Sequence, residues 1–139
     1  MGKLTKEDII LLFLEDPEKL TTELWDKNVP KSDEIRTLIC ELGNARCAYW
    51  YAELIDKKPT DETRTVACKD SKYAYWYAHS VDKKPTDETR TAACKKSGSA
   101  YWYARIVDKK PTDETREAAY KSSDCKERYI KWENSLKKI

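Results

Sequence analysis

The sequence predicts an all-α fold, a short α-solenoid of tandem helical hairpins with terminal capping helices. Three observations carry this. Ala48-Tyr49-Trp50-Tyr51-Ala52 returns at Ala74-Tyr75-Trp76-Tyr77-Ala78 and at Ala100-Tyr101-Trp102-Tyr103-Ala104, each copy 26 residues after the last. A second block, Asp56-Lys57-Lys58-Pro59-Thr60-Asp61-Glu62-Thr63-Arg64, recurs from Asp82 to Arg90 and from Asp108 to Arg116 at the same offset. Self-similarity at a fixed period marks one supersecondary unit copied and stacked. The copies are also rich in alanine and lack the Val/Ile/Thr alternation of strands, so each reads as two helices of about ten residues. One such hairpin cannot bury its own apolar face, and copies must stack. The chain, at 139 residues, is read as one domain: an N-terminal helix over 1–15, a diverged repeat over 16–43, repeats over 44–70, 71–96 and 97–122, and a capping helix over 123–139. Five Trp and nine Tyr supply core material that a disordered chain lacks.

Taken in order, Thr5 starts the first helix with Asp8 three residues on, close to a capping box. The helix carries Ile9, Ile10, Leu12, Phe13 and Leu14. Asp16-Pro17 ends it and opens a second helix with Leu20, Leu24 and Trp25, Pro being favourable at the first helical position. Asp26-Lys27-Asn28-Val29-Pro30 is a stretched echo of the later Asp-Lys-Lys-Pro turn. Asp33-Glu34-Ile35-Arg36 with Cys40 matches Asp61-Glu62-Thr63-Arg64 with Cys68 at an offset of 28. Gly43 is the expected helix stop. In the middle copy, Ser71 is expected to cap a helix carrying Ala74 through Val81. Asp82-Lys83-Lys84 is a turn, Pro85 prevents the helix continuing, and Thr86 caps the second helix. Asp87 and Glu88 suit the dipole of its first turn, and Lys95 and Lys96 suit its end.

Helical residues advance about 100° each. Ala74, Ala78 and Val81, with Tyr77 beside them, form the expected packing stripe. Trp76 and Ser80 are expected on its inner flank, and Tyr75 and His79 on the flank nearer solvent. Thr89, Ala92 and Ala93 form the inward stripe of the second helix, with Arg90 and Cys94 next to it. At the end, Glu127 and Arg128 stand where Tyr101 and Trp102 stood, while Tyr129 keeps the inward tyrosine. Cys125, Tyr129, Trp132 and Leu136 make one stripe, with lysines elsewhere, as a terminal cap needs.

Composition excludes several function classes. Residues 1–43 hold six Lys/Arg against ten Asp/Glu, residues 44–119 fifteen against twelve, and residues 120–139 six against three. This is no nucleic-acid tail. The apolar run Ile9 to Leu14 is too short to span a membrane and its acidic flanks do not suit a signal peptide. Met1-Gly2 lacks the Ser or Thr that myristoylation wants where Lys6 stands. The expected location is cytoplasmic. Cys40, Cys68 and Cys94 hold equivalent places, on helices expected roughly 8–10 Å apart, so they read as reduced structural residues rather than disulfide partners. With no Cys-x-x-Cys pair and His79 the one histidine, no metal site is expected. No phosphate-cradling glycine loop, nucleophile elbow or histidine triad is present, so no enzyme activity, cofactor or small-molecule substrate is expected.

Three features remain as candidate sites, each with a structural alternative. The first is the aromatic column: tryptophans Trp50, Trp76 and Trp102 as core, tyrosines Tyr49, Tyr75 and Tyr101 as contact surface or core. The second is the set of positions that differ between near-identical copies: Glu53, His79 and Arg105; Asp70, Lys96 and Ser122; Lys72, Gly98 and Asp124. These are either the part that reads a partner or drift after duplication. The third is the basic edge of Lys57, Lys58, Lys83, Lys84, Lys109 and Lys110, which either meets phosphates or an acidic surface or is a solvated turn half neutralised by Asp56, Asp82 and Asp108.

The Ala-Tyr-x-Tyr-Ala helix followed by a charged, proline-bearing turn, here Ala74 to Ala78 with Pro85 and the sister copies, resembles short tandem helical repeats of bacteriophage-encoded proteins. The resemblance covers residues 44–122 and departs at Thr86-Asp87-Glu88-Thr89-Arg90. It implies a setting, with inhibition of a host or defence protein as one form, and no activity. Tetratricopeptide and pentatricopeptide repeats share the layout at a longer period. The leading expectation is a non-enzymatic protein-binding module, its partner held by Tyr49 with Glu53, Tyr75 with His79 and Tyr101 with Arg105. The alternative is single-stranded nucleic-acid binding, with the tyrosines stacking bases and the Lys-Lys turns following the backbone.

Overall fold

Side-chain caps set where nearly every helix begins. The computed structural model describes residues 3–137; Met1 and Gly2, on which the acylation argument rests, lie outside the described residues. Ten α-helices follow one another: α1 (Lys6–Glu15), α2 (Pro17–Trp25), α3 (Asp33–Glu41), α4 (Ala45–Trp50), α5 (Asp61–Ala67), α6 (Ser71–Trp76), α7 (Asp87–Ala93), α8 (Ser97–Trp102), α9 (Asp113–Ala119) and α10 (Ser123–Leu136). No strand occurs among the described residues. The fold class is the expected all-α tandem of helical hairpins.

Thr5 and Asp8 form the full capping box, and Asp16 caps α2 with Pro17 at the first helical position. Thr60, Thr86 and Thr112 accept from the N–H groups of Thr63, Thr89 and Thr115, as expected for the second helix of each repeat. The first helices differ from expectation. Ser71 is not the cap but the buried first residue of α6, and the Asp70 carboxylate accepts from the N–H groups of Lys72 and Tyr73. Asn44 and Ser122 hold the same place before α4 and α10 and cap in the same way. Lys96 holds it before α8 and makes no side-chain cap bond, because an ammonium offers no acceptor.

A second difference is that α4, α6 and α8 do not end as α-helix. Each continues into a six-residue π-helical segment, Tyr51–Asp56, Tyr77–Asp82 and Tyr103–Asp108. Each segment stops on a lysine in the left-handed region, with φ of 56° at Lys57, 58° at Lys83 and 60° at Lys109. Lys27, in the stretched echo of this turn, has φ 60° as well. Left-handed backbone disfavours a residue with a Cβ by roughly 1–2 kcal/mol, so the first lysine of each pair carries a backbone cost.

The chain divides into two units, one ending at Lys69 and one starting at Asp70. In the first, α1 packs on α2, α2 on α4 and α4 on α5. Its core is Ile9, Leu20, Leu24, Val29, Ile39, Cys47 and Tyr51. Ile10, Leu14 and Trp25, read as apolar-face residues, are exposed. In the second unit, α6 with α7 and α8 with α9 form two hairpins, and α10 closes on α8 and α9. Ala74, Tyr77, Ala78 and Val81 are buried, as are Thr89, Ala92 and Ala93, which matches both expected stripes. On α10, Tyr129 is fully buried and Cys125 and Trp132 half-buried, but Leu136, the last helical residue, is exposed.

Within each unit a paired polar latch joins one hairpin to the next. In the second unit the Tyr103 hydroxyl accepts from the Thr86 N–H at 3.1 Å and lies 2.7 Å from Thr89 Oγ1. Beside it, Arg90 donates through Nε and Nη2 to the Asp108 carboxylate at 2.9 and 2.6 Å. Tyr129 repeats the first contact on Thr112 and Thr115, and Arg116 repeats the second on Glu133. In the first unit, Tyr51 takes the Ser32 N–H and Arg36 grips Asp56. Arg36 with Asp56, Arg90 with Asp108 and Arg116 with Glu133 are therefore structural joints.

Candidate functional site

Two residues apart on a helix means about 200° apart, so the two tyrosines of each Tyr-Trp-Tyr triplet point to opposite sides. Tyr103 reaches back to α7, while Tyr101, two residues earlier, packs forward on α10 with its ring 6.4 Å from that of Tyr129. Tyr75 likewise packs against a buried cluster of Ala78, Ala93, Tyr103 and Val107. The tryptophan between them is left facing outward. This corrects the expected orientation. Tyr49 and Tyr101 are 4% exposed and Tyr75 is half-buried, whereas Trp76 and Trp102 are 37% and 41% exposed. The helix wheel placed the tryptophans inward because it weighed the alanine stripe alone, without the neighbouring repeat that covers the outer flank.

The six tyrosine-centred candidates are thus divided. His79 and Arg105 are exposed, and Glu53 is half-buried. Two expected pairs do meet: the His79 ring stacks 6.1 Å from Tyr75, and Arg105 donates to the Tyr101 hydroxyl at 2.7 Å. Lys57, Lys58, Lys83, Lys84, Lys109 and Lys110 are all exposed. The aspartates expected to neutralise them do not all do so, since Asp56 and Asp108 turn inward to Arg36 and Arg90.

The exposed tryptophans wall a furrow between α6 and α8. Tyr75, Trp76 and Trp102 line a concavity of about 510 Å³ with Lys72, Gly98 and Ser99. A Cβ built on Gly98 would meet nothing within 4 Å, so this position leaves open space where Lys72 and Asp124 stand in the sister copies. Trp76 meets Tyr75 and His79 edge-on at 5.1 and 5.7 Å. The Arg105 guanidinium lies over Trp102 at 5.8 Å, within cation–π range. A second concavity of about 470 Å³, beside the turns, is lined by Ile106 and Val107 with His79, Lys83, Lys84 and Lys109. His79 joins the two, because it lines the second and packs on the aromatic rings of the first.

The aromatic row is short. Trp50, the third copy, is half-buried with Trp25 at 4.5 Å between centroids, and Arg128 replaces the tryptophan in α10. That replacement was the sequence signal for the true orientation: a site that accepts arginine while Tyr129 is retained faces solvent. The cysteines are free thiols, and burial pushes Cys40 and Cys94 up to about 12 and raises Cys47. No group of three or more His, Cys, Asp or Glu among the described residues is arranged to hold a metal. No helix among them is long and apolar enough to cross a membrane.

No protein-family model matches the chain, and neither the curated proteins nor the solved structures yield a match.

Proposed function

We propose that the protein is a non-enzymatic repeat module that binds another protein through the furrow walled by Trp76 and Trp102. The observation that carries this is two half-exposed indoles in equivalent places of adjacent repeats, beside a residue with no side chain. Tryptophan is among the residues most enriched at binding hot spots, where it fills desolvated pockets. Keeping two such rings in water has no evident structural use, since the latches and alanine stripes lie elsewhere on the same helices. His79 and Arg105, which differ between the copies, flank the rings and suit a specificity role.

Nucleic-acid binding is the weaker reading. Single strands need a run of stacking platforms along a basic track, and this row of open indoles ends after two, with Trp50 half-buried against Trp25. An inhibitory role, suggested by the resemblance to bacteriophage repeats, would require that the captured protein lose its own activity. The test uses the full chain as bait in lysate with and without nuclease. A partner that survives nuclease and is lost with Trp102→Ala, whose fold is unchanged by circular dichroism, supports the reading. A partner that is lost with nuclease and kept by Trp102→Ala overturns it.

A further inference from the structure

We propose that the furrow takes an extended segment of the partner with one bulky apolar anchor and carboxylates beside it. The anchor sits between Trp76 and Trp102, and the carboxylates sit at His79, Lys83, Lys84 and Lys109. This rests on the protein-binding reading above and specifies the chemistry of the partner.

The two ends of the furrow differ in kind. One is aromatic and open, lined by Tyr75, Trp76 and Trp102 with Gly98 and Ser99, and at about 510 Å³ it has room for a bulky apolar side chain together with adjoining backbone. The other gathers three lysines and a histidine from two consecutive repeats with Ile106 and Val107. Lys83, Lys84 and Lys109 make no ion pair among the described residues. Two acids of these repeats, Asp87 and Asp108, are taken up by Arg90. The whole unit from Asp70 on carries sixteen Lys/Arg against eleven Asp/Glu, an excess of five positive charges. A concave site with uncompensated positive charge attracts and orients an acidic partner. Lys83 and Lys109 are also held in fixed left-handed backbone, so the turn that presents them is set before binding.

Gly98 supplies the sharpest test, because a side chain there fills the slot without a clash. The probes are fluorescein-labelled twelve-residue peptides with one leucine followed by four glutamates or by four glutamines, and a twelve-residue oligothymidylate. Anisotropy is measured with the full-length protein at two salt concentrations. The glutamate peptide is expected to bind at least tenfold tighter than the glutamine peptide. The double change Lys83→Gln and Lys109→Gln should bring the two within about twofold, and Gly98→Gln should weaken both at least fivefold with an unchanged melting temperature. Equal binding of the two peptides, still lost in Gly98→Gln, overturns the acidic preference and leaves the protein-binding reading intact. Failure of both peptides while Trp102-dependent capture persists in lysate overturns this occupant alone. Tighter binding of the oligothymidylate than of either peptide, weakening steeply with salt, overturns both readings.

Discussion

Tyr103→Phe isolates the hydroxyl half of the latch. The ring stays and fills the same space, since Tyr103 is fully buried. What is lost is the acceptor for the Thr86 N–H at 3.1 Å, the partner of Thr89 Oγ1 at 2.7 Å and a hydroxyl within donating distance of the Thr86 carbonyl, at 3.1 Å. Thr89 keeps the Thr86 hydroxyl at 2.7 Å, so it is not stranded. The Thr86 N–H is, because Tyr103 is the one acceptor it has among the described residues. One net hydrogen bond is worth about 1 kcal/mol, and an unsatisfied, desolvated donor adds about 1 kcal/mol more. The expected cost is about 2 kcal/mol, read from the urea midpoint by far-UV circular dichroism with the slope unchanged. Tyr120→Phe is the control. That ring packs edge-on to Tyr129, and the change should stay within about 0.5 kcal/mol, the usual range away from such features. If Tyr103→Phe costs no more than Tyr120→Phe, the hydroxyl does not hold the repeats together.

Lys96→Asp installs the acceptor that Asp70 provides one repeat earlier and should stabilise by about 1 kcal/mol in the same assay; no shift in midpoint would show that the uncapped start of α8 is already satisfied. Asp108→Asn leaves Arg90 without its enclosed charge and should cost about 3 kcal/mol, against about 0.5 kcal/mol or less for Asp87→Asn at the exposed partner; equal costs would refute the latch. Burial raises the phenols of Tyr51, Tyr103 and Tyr129 above 10.0 and lifts the thiols of Cys40 and Cys94 from 9.0 to about 12. The unfolded chain therefore releases protons first as pH rises, so this stability is whole below pH 9.0 and is lost as pH climbs toward 12. A melting temperature that stays flat from pH 8 to pH 11, measured in roughly unit steps across the window those groups define, would contradict it.

Periodicity and punctuation made most of the architecture legible. The 26-residue offset, the threonine caps, Pro17, Gly43 and the alanine stripes each follow from local chemistry that tertiary contacts reinforce. The candidate site was less legible, because a helix wheel does not say what lies against each flank. Tyr101 and Trp102 are neighbours of similar size, and only α10, packed over one of them, decides which meets water. The column Asp70, Lys96 and Ser122, open in the sequence between partner reading and drift, is the cap position of the first helix. Gly98, in the same undecided set, lines the furrow and leaves open space in it.

The π-helical segments explain why the latch has two parts on one face. Tyr103 and Asp108 are five residues apart, and both reach back to α7. On an α-helix, residues five apart point about 140° away from each other, so one of the two contacts would be lost. With i to i+5 hydrogen bonding the turn is wider and residues five apart come round to the same face, and both contacts form. Tyr51 and Asp56 have the same spacing and the same pair of partners, Ser32 and Arg36 on the preceding helix. The capping helix supplies the control within the same chain. α10 is α-helical throughout, and there Tyr129 is followed by its acid at Glu133, four residues on, where an α-helix puts a neighbour. The 26-residue period would place the acid at position 134, which is Asn134. The acid has moved one residue as the helix type changed, which is what a shared face requires. The latch geometry, and not the propensity of Tyr-Ala-Glu-Leu-Ile-Asp or Tyr-Ala-Arg-Ile-Val-Asp, is therefore what these two π segments serve.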